Sequence, residues 1–404
     1  MIQKHSYRHQ NSYGNRYSAP KSNWSKGPRF NKRSMSMADL MHAIEVGKRH
    51  VEGAVTEKYC PKHTFAEFTI CDQLKRNISF KKFTQPTAIQ DETIPAILEG
   101  KDVIGVANTG TGKTAAFLIS LINKVFNDRT QKVLIVTPTR ELAVQIDEEF
   151  RNYSQGMGVR SALCIGGTSI YRQKKDLGFN PNFVIGTPGR LKDHMKQRHL
   201  NLALFNNVVL DEADRMVDMG FIEDIKFIIG FLPKARQSLF FSATISPKVK
   251  TVIQLFVQDP ITISVKHTET SENIDQQLVR VPSDKKVEHL QSLLAQETFE
   301  KVLIFGRTKW GVQRLADELV KKGFRAGAIH GDKRQNQRQE ILTQFKRNEI
   351  SILLATDVAS RGLDIKNVSH VINYDLPETY DDYIHRIGRT GRADKKGIAL
   401  TFVD

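Results

Sequence analysis

Two stretches of this sequence each resemble a later stretch, and both pairs are separated by the same distance along the chain. Residues 132–135, Lys-Val-Leu-Ile, recur as residues 301–304, which lie 169 positions later. The same separation carries residues 183–187 onto residues 352–356. Short apolar runs often match by chance, but two pairs with one common separation indicate a repeated structural unit. The sequence therefore predicts two similar domains in tandem.

Short apolar runs alternate with longer amphipathic stretches over most of the chain. The predicted strands are residues 102–106, 132–136, 183–186, 208–210 and 238–241 in the first unit, and 302–305, 325–329, 352–355, 368–373 and 398–403 in the second. This alternation predicts an α/β fold in which parallel sheets are covered by helices on both faces. The polar segment 267–273 between the two series is predicted to be a short flexible linker.

These patterns also predict the domain boundaries. We assign residues 1–60 to a basic arm with a linker helix, 61–265 to the first domain, 266–275 to the linker and 276–404 to the second domain. Before its first acidic residue, Asp39, the arm carries eight Lys and Arg residues interspersed with Tyr, Trp and Phe. Such a segment cannot bury a core, so we expect it to be disordered.

The net charge of +16 and the pI near 9.6 favour a polyanionic partner. Residues 1–38 carry +8 of this charge, and their basic residues with scattered aromatics can follow phosphates and stack on bases. Contact with nucleic acid is therefore favoured over a tail that only improves solubility.

Several classes of protein are excluded by simpler features. No stretch approaches the roughly 20 apolar residues of a membrane helix, and the N-terminus lacks the apolar core of a secretory signal. The three cysteines have neither disulfide-rich nor metal-binding spacing, which suits a reducing compartment. We expect a monomer in the cytoplasm, without membrane attachment, and the nucleus remains open if the source is eukaryotic.

Residues 107–114, Ala-Asn-Thr-Gly-Thr-Gly-Lys-Thr, form a phosphate loop between a predicted strand and a predicted helix. Gly110 and Gly112 would let backbone N–H groups curl around a phosphate, next to the positive end of the helix dipole. Lys113 would reach the β and γ phosphates, and Thr114 would place its hydroxyl on Mg²⁺. The loop therefore predicts a nucleotide site in the first domain.

Two adjacent carboxylates, Asp211 and Glu212, follow the predicted strand 208–210. The carboxyl ends of parallel strands are where open α/β sheets place their chemistry. Asp211 is expected to hold Mg²⁺ or its water, and Glu212 to orient or deprotonate the attacking water. Alone, an acidic pair after a strand is as often a solvated loop, but the phosphate loop favours the catalytic interpretation.

Taken in order, these motifs resemble those of the DEAD-box ATP-dependent RNA helicases, over residues 65 to 403. The resemblance implies two tandem RecA-like domains that use ATP and Mg²⁺ and bind single-stranded or duplex RNA. It also implies local unwinding of RNA duplexes, or remodelling of RNA–protein complexes, coupled to ATP hydrolysis in the cleft between the domains. A protein cofactor is compatible with this activity.

The resemblance assigns a nucleotide-binding set that includes Gln90, whose amide matches the adenine edge, and Phe65 as an adenine-stacking aromatic. A core phenylalanine is the alternative for Phe65, and Lys82 departs from the small residue usual at its position. The full set is Phe65, Phe83, Gln90, Thr109, Gly110, Thr111, Gly112, Lys113, Thr114, Gly362, Asp364, Arg389 and Arg392.

Hydroxyls, glycine N–H groups and arginines at strand ends suit a sugar-phosphate backbone and carry no base preference. By resemblance, the first domain contacts RNA through Pro138, Thr139, Arg140, Gly166, Gly167, Thr187, Gly189 and Arg190. The second domain does so through Arg307, Thr308, Gln335, Arg338 and Thr356. For Gln335 and Arg338, a helix face exposed to solvent is the alternative.

The second domain has no phosphate loop at the equivalent strand, but it offers arginines. Arg389 and Arg392 resemble the arginine fingers of the family, which stabilise charge on a transferring γ-phosphate. By the same resemblance, Ser242, Thr244, Asp214, His385 and Arg386 couple the nucleotide site to RNA. The catalytic set is then Lys113, Asp211, Glu212, Arg389 and Arg392, divided between the two domains.

Two other functions remain open at this point. An ATP-gated clamp that holds RNA without unwinding it would carry the same motifs. A DNA-directed translocase also remains open, because contacts to the phosphate backbone do not distinguish RNA from DNA. The combination of the adenine-reading segment with Asp-Glu-Ala-Asp at residues 211–214 favours the RNA family.

Overall fold

The computed structural model describes Ala38, Met41 and residues 59–81, 83–108, 110–265, 274–360, 365, 368–391 and 396–404. Nearly all of the predicted arm and the linker segment 267–273 therefore lie outside the described residues. The described residues form two parallel sheets with helices on both faces. Within them, no helix is long and apolar enough to cross a membrane.

The first domain has a sheet of seven parallel strands in the order β3-β4-β2-β5-β6-β1-β7. These strands are β1 (Val103–Val106), β2 (Val133–Val136), β3 (Ser161–Cys164), β4 (Phe183–Gly186), β5 (Asn207–Leu210), β6 (Gln237–Ser242) and β7 (Ile261–Ser264). The helices are α1 (Asp72–Phe80), α2 (Ala88–Leu98), α3 (Lys113–Asn127), α4 (Arg140–Tyr153), α5 (Ile170–Gly178), α6 (Pro188–Lys196), α7 (Ala213–Asp218), α8 (Ile222–Gly230) and α9 (Pro247–Phe256). A 3₁₀ turn, Leu202–Leu204, precedes β5.

The second domain has a sheet of six parallel strands in the order β10-β11-β9-β12-β13-β8. These strands are β8 (Ile274–Arg280), β9 (Val302–Phe305), β10 (Ala326–Ile329), β11 (Ile352–Ala355), β12 (His370–Asn373) and β13 (Gly397–Val403). The described helices are α10 (Lys286–Leu294), α11 (Lys309–Lys321), α12 (Gln335–Lys346), α13 (Asp357–Ser360) and α14 (Tyr380–Ile387), with a 3₁₀ turn at Ser283–Lys285.

The central strands are buried on both faces, which explains their unbroken apolar sequences. In β2, Val133 and Ile135 pack into one hydrophobic cluster, while Leu134 and Val136 pack into the cluster on the opposite face. Strand β9 divides its side chains between two clusters in the same way. A continuous run of Val, Ile and Leu therefore marks a strand covered by helices on both sides.

The structure confirms the repeated unit. Strand β2 and strand β9 occupy equivalent places, each paired with two parallel neighbours. Each is followed by a threonine that caps the next helix: Thr139 Oγ1 accepts from Leu142 N at 3.3 Å, and Thr308 Oγ1 accepts from Gly311 N at 3.0 Å. A threonine at this position satisfies an amide that the helix leaves without a partner.

Three strands, β3, β7 and β8, are not predicted by the sequence pattern. All three lie at the edges of their sheets, where only one side of the strand is paired. Their side chains are partly exposed: β3 alternates between half-buried and buried positions, and β7 and β8 each bury a single residue fully. Without the continuous apolar run of a central strand, the pattern gave no strand signal.

The order of the strands separates two groups of motifs at the carboxyl edge of the first sheet. The phosphate loop, the acidic pair and residues 243–244 follow β1, β5 and β6, which are adjacent. The segments predicted to contact RNA follow β2, β3 and β4, which form the other half of the sheet. One half of this sheet edge therefore carries the motifs predicted to bind nucleotide, here called the nucleotide side, and the other half carries those predicted to bind RNA, here called the RNA side.

Candidate nucleotide and RNA site

The phosphate loop turns directly into helix α3. Gly112 caps this helix with a φ of 97°, a left-handed conformation that favours glycine. A Cβ at this position would collide with the side-chain nitrogen of Gln90. The ammonium of Lys113 is buried and donates to the carbonyl oxygens of Ala107 and of Asn108, the latter at 3.0 Å. The lysine therefore lies inside the curve of the loop, where a phosphate would bind.

Gln90 connects the predicted adenine-reading segment to this loop. Its Nε2 donates to the carbonyl of Gly112 at 3.0 Å, and its Oε1 accepts from the backbone N–H of Thr87 at 3.0 Å. Thr87 in turn donates its hydroxyl to the carbonyl of Thr111 at 2.7 Å. The Gln90 amide keeps one N–H and one lone pair, so an adenine contact remains compatible with these bonds.

The two predicted aromatic residues differ in their surroundings. Phe65 is buried in the core, with its ring edge-to-face on Phe68 at 6.0 Å between centroids. Phe83 is exposed at the start of the segment before α2. In this structure Phe65 is therefore placed as a core phenylalanine, which was the alternative to an adenine-stacking aromatic. Of the other predicted nucleotide contacts, Thr109, Gly362, Asp364 and Arg392 lie outside the described residues.

Asp211 is buried at the end of β5. Burial raises its pKa to about 7, against the opposing effect of the Lys113 ammonium and with a smaller contribution from Glu212. Burial penalises the charged form, and a cation bound beside the carboxylate would restore it. Together with the hydroxyl of Thr114, the Asp211 carboxylate offers the hard oxygen ligands that Mg²⁺ prefers.

Glu212 has a strained backbone, because its φ of 52° lies in the left-handed region that non-glycine residues rarely adopt. Its Oε2 has no hydrogen-bond partner among the described residues, and Arg215 Nε lies 3.6 Å away. Buried polar atoms are normally paired. The carboxylate of Glu212 therefore keeps an acceptor that a water molecule can use.

Asp214 joins the acidic segment to the end of strand β6. Its Oδ2 accepts from the backbone N–H groups of Ala243 at 3.1 Å and Thr244 at 2.9 Å, and from the Thr244 hydroxyl at 3.1 Å. The N–H of Asp214 donates to Ser242 Oγ at 3.3 Å. These bonds bring together three of the residues that the sequence analysis assigned to coupling.

Helix α14 of the second domain faces the acidic segment of the first. Arg215, His385 and Arg389 line one small cavity of about 10 Å³. Burial, with smaller contributions from the nearby cations of Arg215 and Arg389, lowers the pKa of His385 to about 3. His385 is therefore neutral at physiological pH. The predicted arginine finger Arg389 lies within reach of the nucleotide half of the sheet.

Arg386 is buried and forms its hydrogen bonds within the second domain. Its guanidinium forms two bonds with the carboxylate of Asp357, at 2.6 and 2.7 Å, and donates to the carbonyl of Asp375 at 2.7 Å. The side chain is almost fully buried and lies over the ring of Phe305. Arg386 therefore joins α14 to the ends of β9, β11 and β12.

The predicted RNA contacts of the first domain are close together. Arg140, at the start of α4, packs on Gly166 and Gly167, and any side chain at position 167 would collide with its guanidinium. Gly167 also requires glycine for its backbone, with a φ of 77°. Arg190 donates to the carbonyl of Thr168 at 3.1 Å. Thr187 precedes helix α6, and Gly189 lies in the first turn of that helix. Pro138 is buried beside Thr139, before α4.

Gln335 and Arg338 do not face solvent, so the alternative that they lie on a solvent-exposed helix face is wrong. Both are buried against the first domain, where Gln335 Nε2 donates to Glu141 Oε1 at 3.0 Å and Arg338 Nη2 lies 3.0 Å from Glu141 Oε2. Glu141 was not among the predicted site residues. It lies in the first turn of α4, but its partners are about 190 residues away in sequence, and no local pattern indicates them.

The remaining predicted contacts of the second domain follow its strands. Arg307 and Thr308 are exposed after β9, and Thr356 is buried after β11. The backbone N–H of Arg307 donates to Asp375 Oδ2 at 2.8 Å, which fixes this loop. A Cβ at Gly167 of the first domain would lie 3.4 Å from the Cβ of Gln335. The two sets of RNA segments therefore meet across the domain boundary.

Comparison with known proteins agrees with this geometry. Residues 87–252 match the model of the DEAD/DEAH box helicase family, and residues 285–394 match that of the helicase conserved C-terminal domain. The ATP-dependent RNA helicase CshA of Limosilactobacillus reuteri is 45% identical over 341 residues, which are 84% of this chain and 69% of that protein.

For two solved structures, the order of similarity to this chain by sequence identity is the opposite of the order by TM-score. S. cerevisiae Dbp5 bound to RNA and ADP BeF3 has a TM-score of 0.76 at 30% identity, covering 84% of this chain and 89% of that one. A DEAD box protein from the hyperthermophile Methanococcus jannaschii is more similar in sequence, at 40%, but its TM-score is 0.50, with 84% and 93% covered. This chain is therefore more similar in overall structure to the complex with RNA and nucleotide, although it is less similar to it in sequence.

Proposed function

The chain belongs to the DEAD-box family of ATP-dependent RNA helicases, and from this premise we propose how its two RecA-like domains divide the work. It is an RNA helicase and an ATPase. In our proposal, ATP and single-stranded RNA both bind the closed arrangement of the domains, so that each ligand favours binding of the other. Closure bends one RNA strand and expels its partner, and hydrolysis reopens the cleft.

The observation that carries this proposal is the cavity shared by the two domains. Arg215, which lies 3.6 Å from Glu212, belongs to the first domain, and His385 and Arg389 belong to the second. Neither domain holds the whole set. A site divided in this way is complete only when the domains close, which couples hydrolysis to the binding of RNA across the boundary.

Each residue of the nucleotide half has a distinct role in the proposal. Lys113 neutralises phosphate charge from inside the loop, and Glu212 accepts a proton from the attacking water or orients it. Arg389 stabilises the charge that develops on the γ-phosphate. The resemblance to the arginine fingers of the family gives Arg392 the same role. Thr114 and Asp211 would hold Mg²⁺, partly through water. When bound, the cation neutralises phosphate charge in the transition state.

On the RNA side, we propose that the segments after β2, β3 and β4 hold the sugar-phosphate backbone together with those after β9, β10 and β11. Hydroxyls, glycine N–H groups and arginines bind a backbone without reading bases. We also propose that one copy of the chain suffices, since both halves of the site lie within it. Sedimentation with RNA and a nucleotide analogue tests this directly.

The first experiment measures ATP hydrolysis at low salt, alone and with single-stranded RNA or DNA of the same sequence. We expect strong stimulation by RNA and not by DNA. The Glu212→Gln variant should lower the stimulated rate by about 10²- to 10⁴-fold. Equal stimulation by DNA would indicate a DNA-directed translocase instead.

A strand-displacement assay then separates unwinding from clamping. The unaltered chain should release one strand of a short RNA duplex in the presence of ATP and Mg²⁺. Long-lived binding to single-stranded RNA without displacement of a duplex strand would contradict unwinding and support an ATP-gated clamp.

A further inference from the structure

Trp310 is the most exposed large apolar side chain among the described residues. Its side chain is 84% exposed, and it is one of only two tryptophans in the chain, the other being Trp24 in the arm. It is the second residue of helix α11, directly after Thr308 and Lys309. Because Thr308 caps this helix through the N–H of Gly311, the backbone that carries Trp310 is held in place.

A series of contacts connects the residue before Trp310 in sequence to the RNA side of the first domain. The neighbouring Lys309 forms an ion pair with Asp332 at 2.7 Å, and its Cε packs on Gly331 in the loop after β10. That loop leads into α12, whose first residue, Gln335, lies against Gly167. Trp310 is therefore at the second-domain end of the surface that the two domains form together.

The surroundings of this side chain are cationic. Arg307 precedes helix α11, Lys309 is its first residue, and Lys333 and Arg334 lie in the loop after β10; Asp332 is the one acidic residue among residues 307–310 and 331–334. Arg307, Lys309 and Arg334 are exposed. Basic residues around an exposed aromatic ring are the combination that binds single-stranded nucleic acid, because the cations attract phosphates and the ring stacks on a base.

We propose that Trp310 stacks on a nucleobase of the bound RNA strand, at the end of the backbone track in the second domain. This inference rests on the proposed function, since it adds a base contact to the same RNA site. The other predicted contacts bind the backbone and leave base faces uncovered. Stacking on Trp310 adds affinity without sequence preference, because every base has a flat face.

The test uses the full chain with Trp24→Phe, in which Trp310 is the single source of tryptophan fluorescence. Adding a short single-stranded RNA with Mg²⁺ and ADP–beryllium fluoride should quench this fluorescence. A strand of the same length with abasic sites in place of bases should bind more weakly and leave the fluorescence largely unchanged.

Affinity is measured in parallel by the RNA concentration that gives half-maximal stimulation of ATP hydrolysis. Trp310→Ala should raise this concentration by roughly 5- to 150-fold, and Trp310→Phe should recover part of the loss. Val320→Ala is the matched control, because Val320 is an exposed apolar residue in the last part of the same helix. The control should behave like the unaltered chain.

The outcomes distinguish this inference from the function on which it rests. If RNA stimulates hydrolysis in the unaltered chain and Trp310→Ala is equally stimulated at the same RNA concentrations, the stacking role is wrong and the helicase function stands. Quenching by the abasic strand equal to that by RNA would also overturn it. If RNA does not stimulate ATP hydrolysis by the unaltered chain at all, both the stacking role of Trp310 and the proposed function are wrong. Quenching by a second copy of the chain without RNA would assign Trp310 to a protein contact instead.

Discussion

Single side chains of this protein connect segments that are far apart in sequence. Arg389, two residues after the end of α14 in the second domain, lines a cavity together with Arg215 of the first. Asp91, one residue after Gln90, accepts from the Tyr59 hydroxyl and the Lys62 N–H, both at 2.6 Å, and contacts His63 Nδ1 at 2.7 Å. We propose that the first residue completes the catalytic site; the bonds of the second hold the segment that leads to Phe65.

Replacing Arg389 with Ala should remove catalysis while preserving nucleotide binding. The guanidinium acts on charge that develops in the transition state, so we expect kcat to fall by about 10³-fold or more. ATP affinity of the first domain, measured by titration with a fluorescent ATP analogue, should change little. An equal loss of ATP binding would contradict a site divided between the domains.

Replacing Asp91 with Asn should weaken the attachment of residues 59–63. Burial of Asp91 raises its pKa, but the bonds from Tyr59, Lys62 and His63 outweigh burial and hold the pKa below its usual value. An asparagine cannot accept all three bonds, so we expect a loss of about 2 kcal/mol in unfolding free energy, measured by urea denaturation. Tyr59→Phe, which removes one bond, should lose about 1 kcal/mol.

The same carboxylate predicts a pH dependence with a definite sign. Because the folded-state pKa of Asp91 is lowered, its bonds stabilise the protein above the ordinary pKa of an aspartate, and this stability is lost as the pH falls through the folded-state value. The difference in stability between the unaltered chain and Asp91→Asn should therefore shrink on acidification. A difference that stays constant down to strongly acidic pH would contradict this role.

At the scale of secondary-structure elements, the order of strands in the first sheet determines which motifs can meet. Strands β5, β6 and β1 are neighbours and end at the proposed nucleotide site, whereas β3, β4 and β2 are neighbours and end at the proposed RNA site. Close packing of the short loops after these strands depends on glycine. Gly167, after β3, lies between the Arg140 guanidinium and Gln335 of the second domain.

Gly167→Ala should weaken RNA binding and leave ATP binding intact. The new methyl group would displace Arg140, and its backbone would be strained at a φ of 77°. We expect at least a several-fold rise in the RNA concentration for half-maximal ATPase stimulation. Gly178→Ala is the control, since no atom lies within 4 Å of a Cβ at that position. Similar RNA responses of the two variants would show that the loop tolerates the change.

At the scale of the whole molecule, the two domains are joined by a small number of buried polar contacts. Glu141 of α4 binds both Gln335 and Arg338 of α12, at 3.0 Å in each case. All three side chains are buried in this structure. If the domains separate as we propose, water would solvate these groups again, so the contact would contribute to closure rather than to the fold of either domain.

Arg338→Gln should therefore impair closure without unfolding the protein. Removing one partner of a buried ion pair leaves the other charge unpaired, which disfavours the closed state. We expect the RNA concentration for half-maximal stimulation to rise by about tenfold or more, with an unchanged Tm. A clear drop in Tm, with unchanged RNA stimulation, would assign this contact to stability alone.

The family, the fold class and the enzyme activity were all predicted from sequence and are confirmed, because each depends on residues that are contiguous. A phosphate loop needs only the spacing of Gly110, Gly112 and Lys113, and a strand covered on both faces needs only an apolar run such as Val133–Val136. The individual site roles stay predictions. Arg392 and Asp364 lie outside the described residues, and Phe65 lies in the core.

Other features were decided only by the tertiary structure. Edge strands β3, β7 and β8 carry no continuous apolar signal, since one side of each is unpaired and their side chains are partly exposed. The partners of Glu141 lie 194 and 197 residues further along the chain. Such contacts form only when two separately folded sheets dock, and no local pattern records the geometry of docking. Local chemistry therefore determined what each domain can bind, and the arrangement of the domains decided which residues act together.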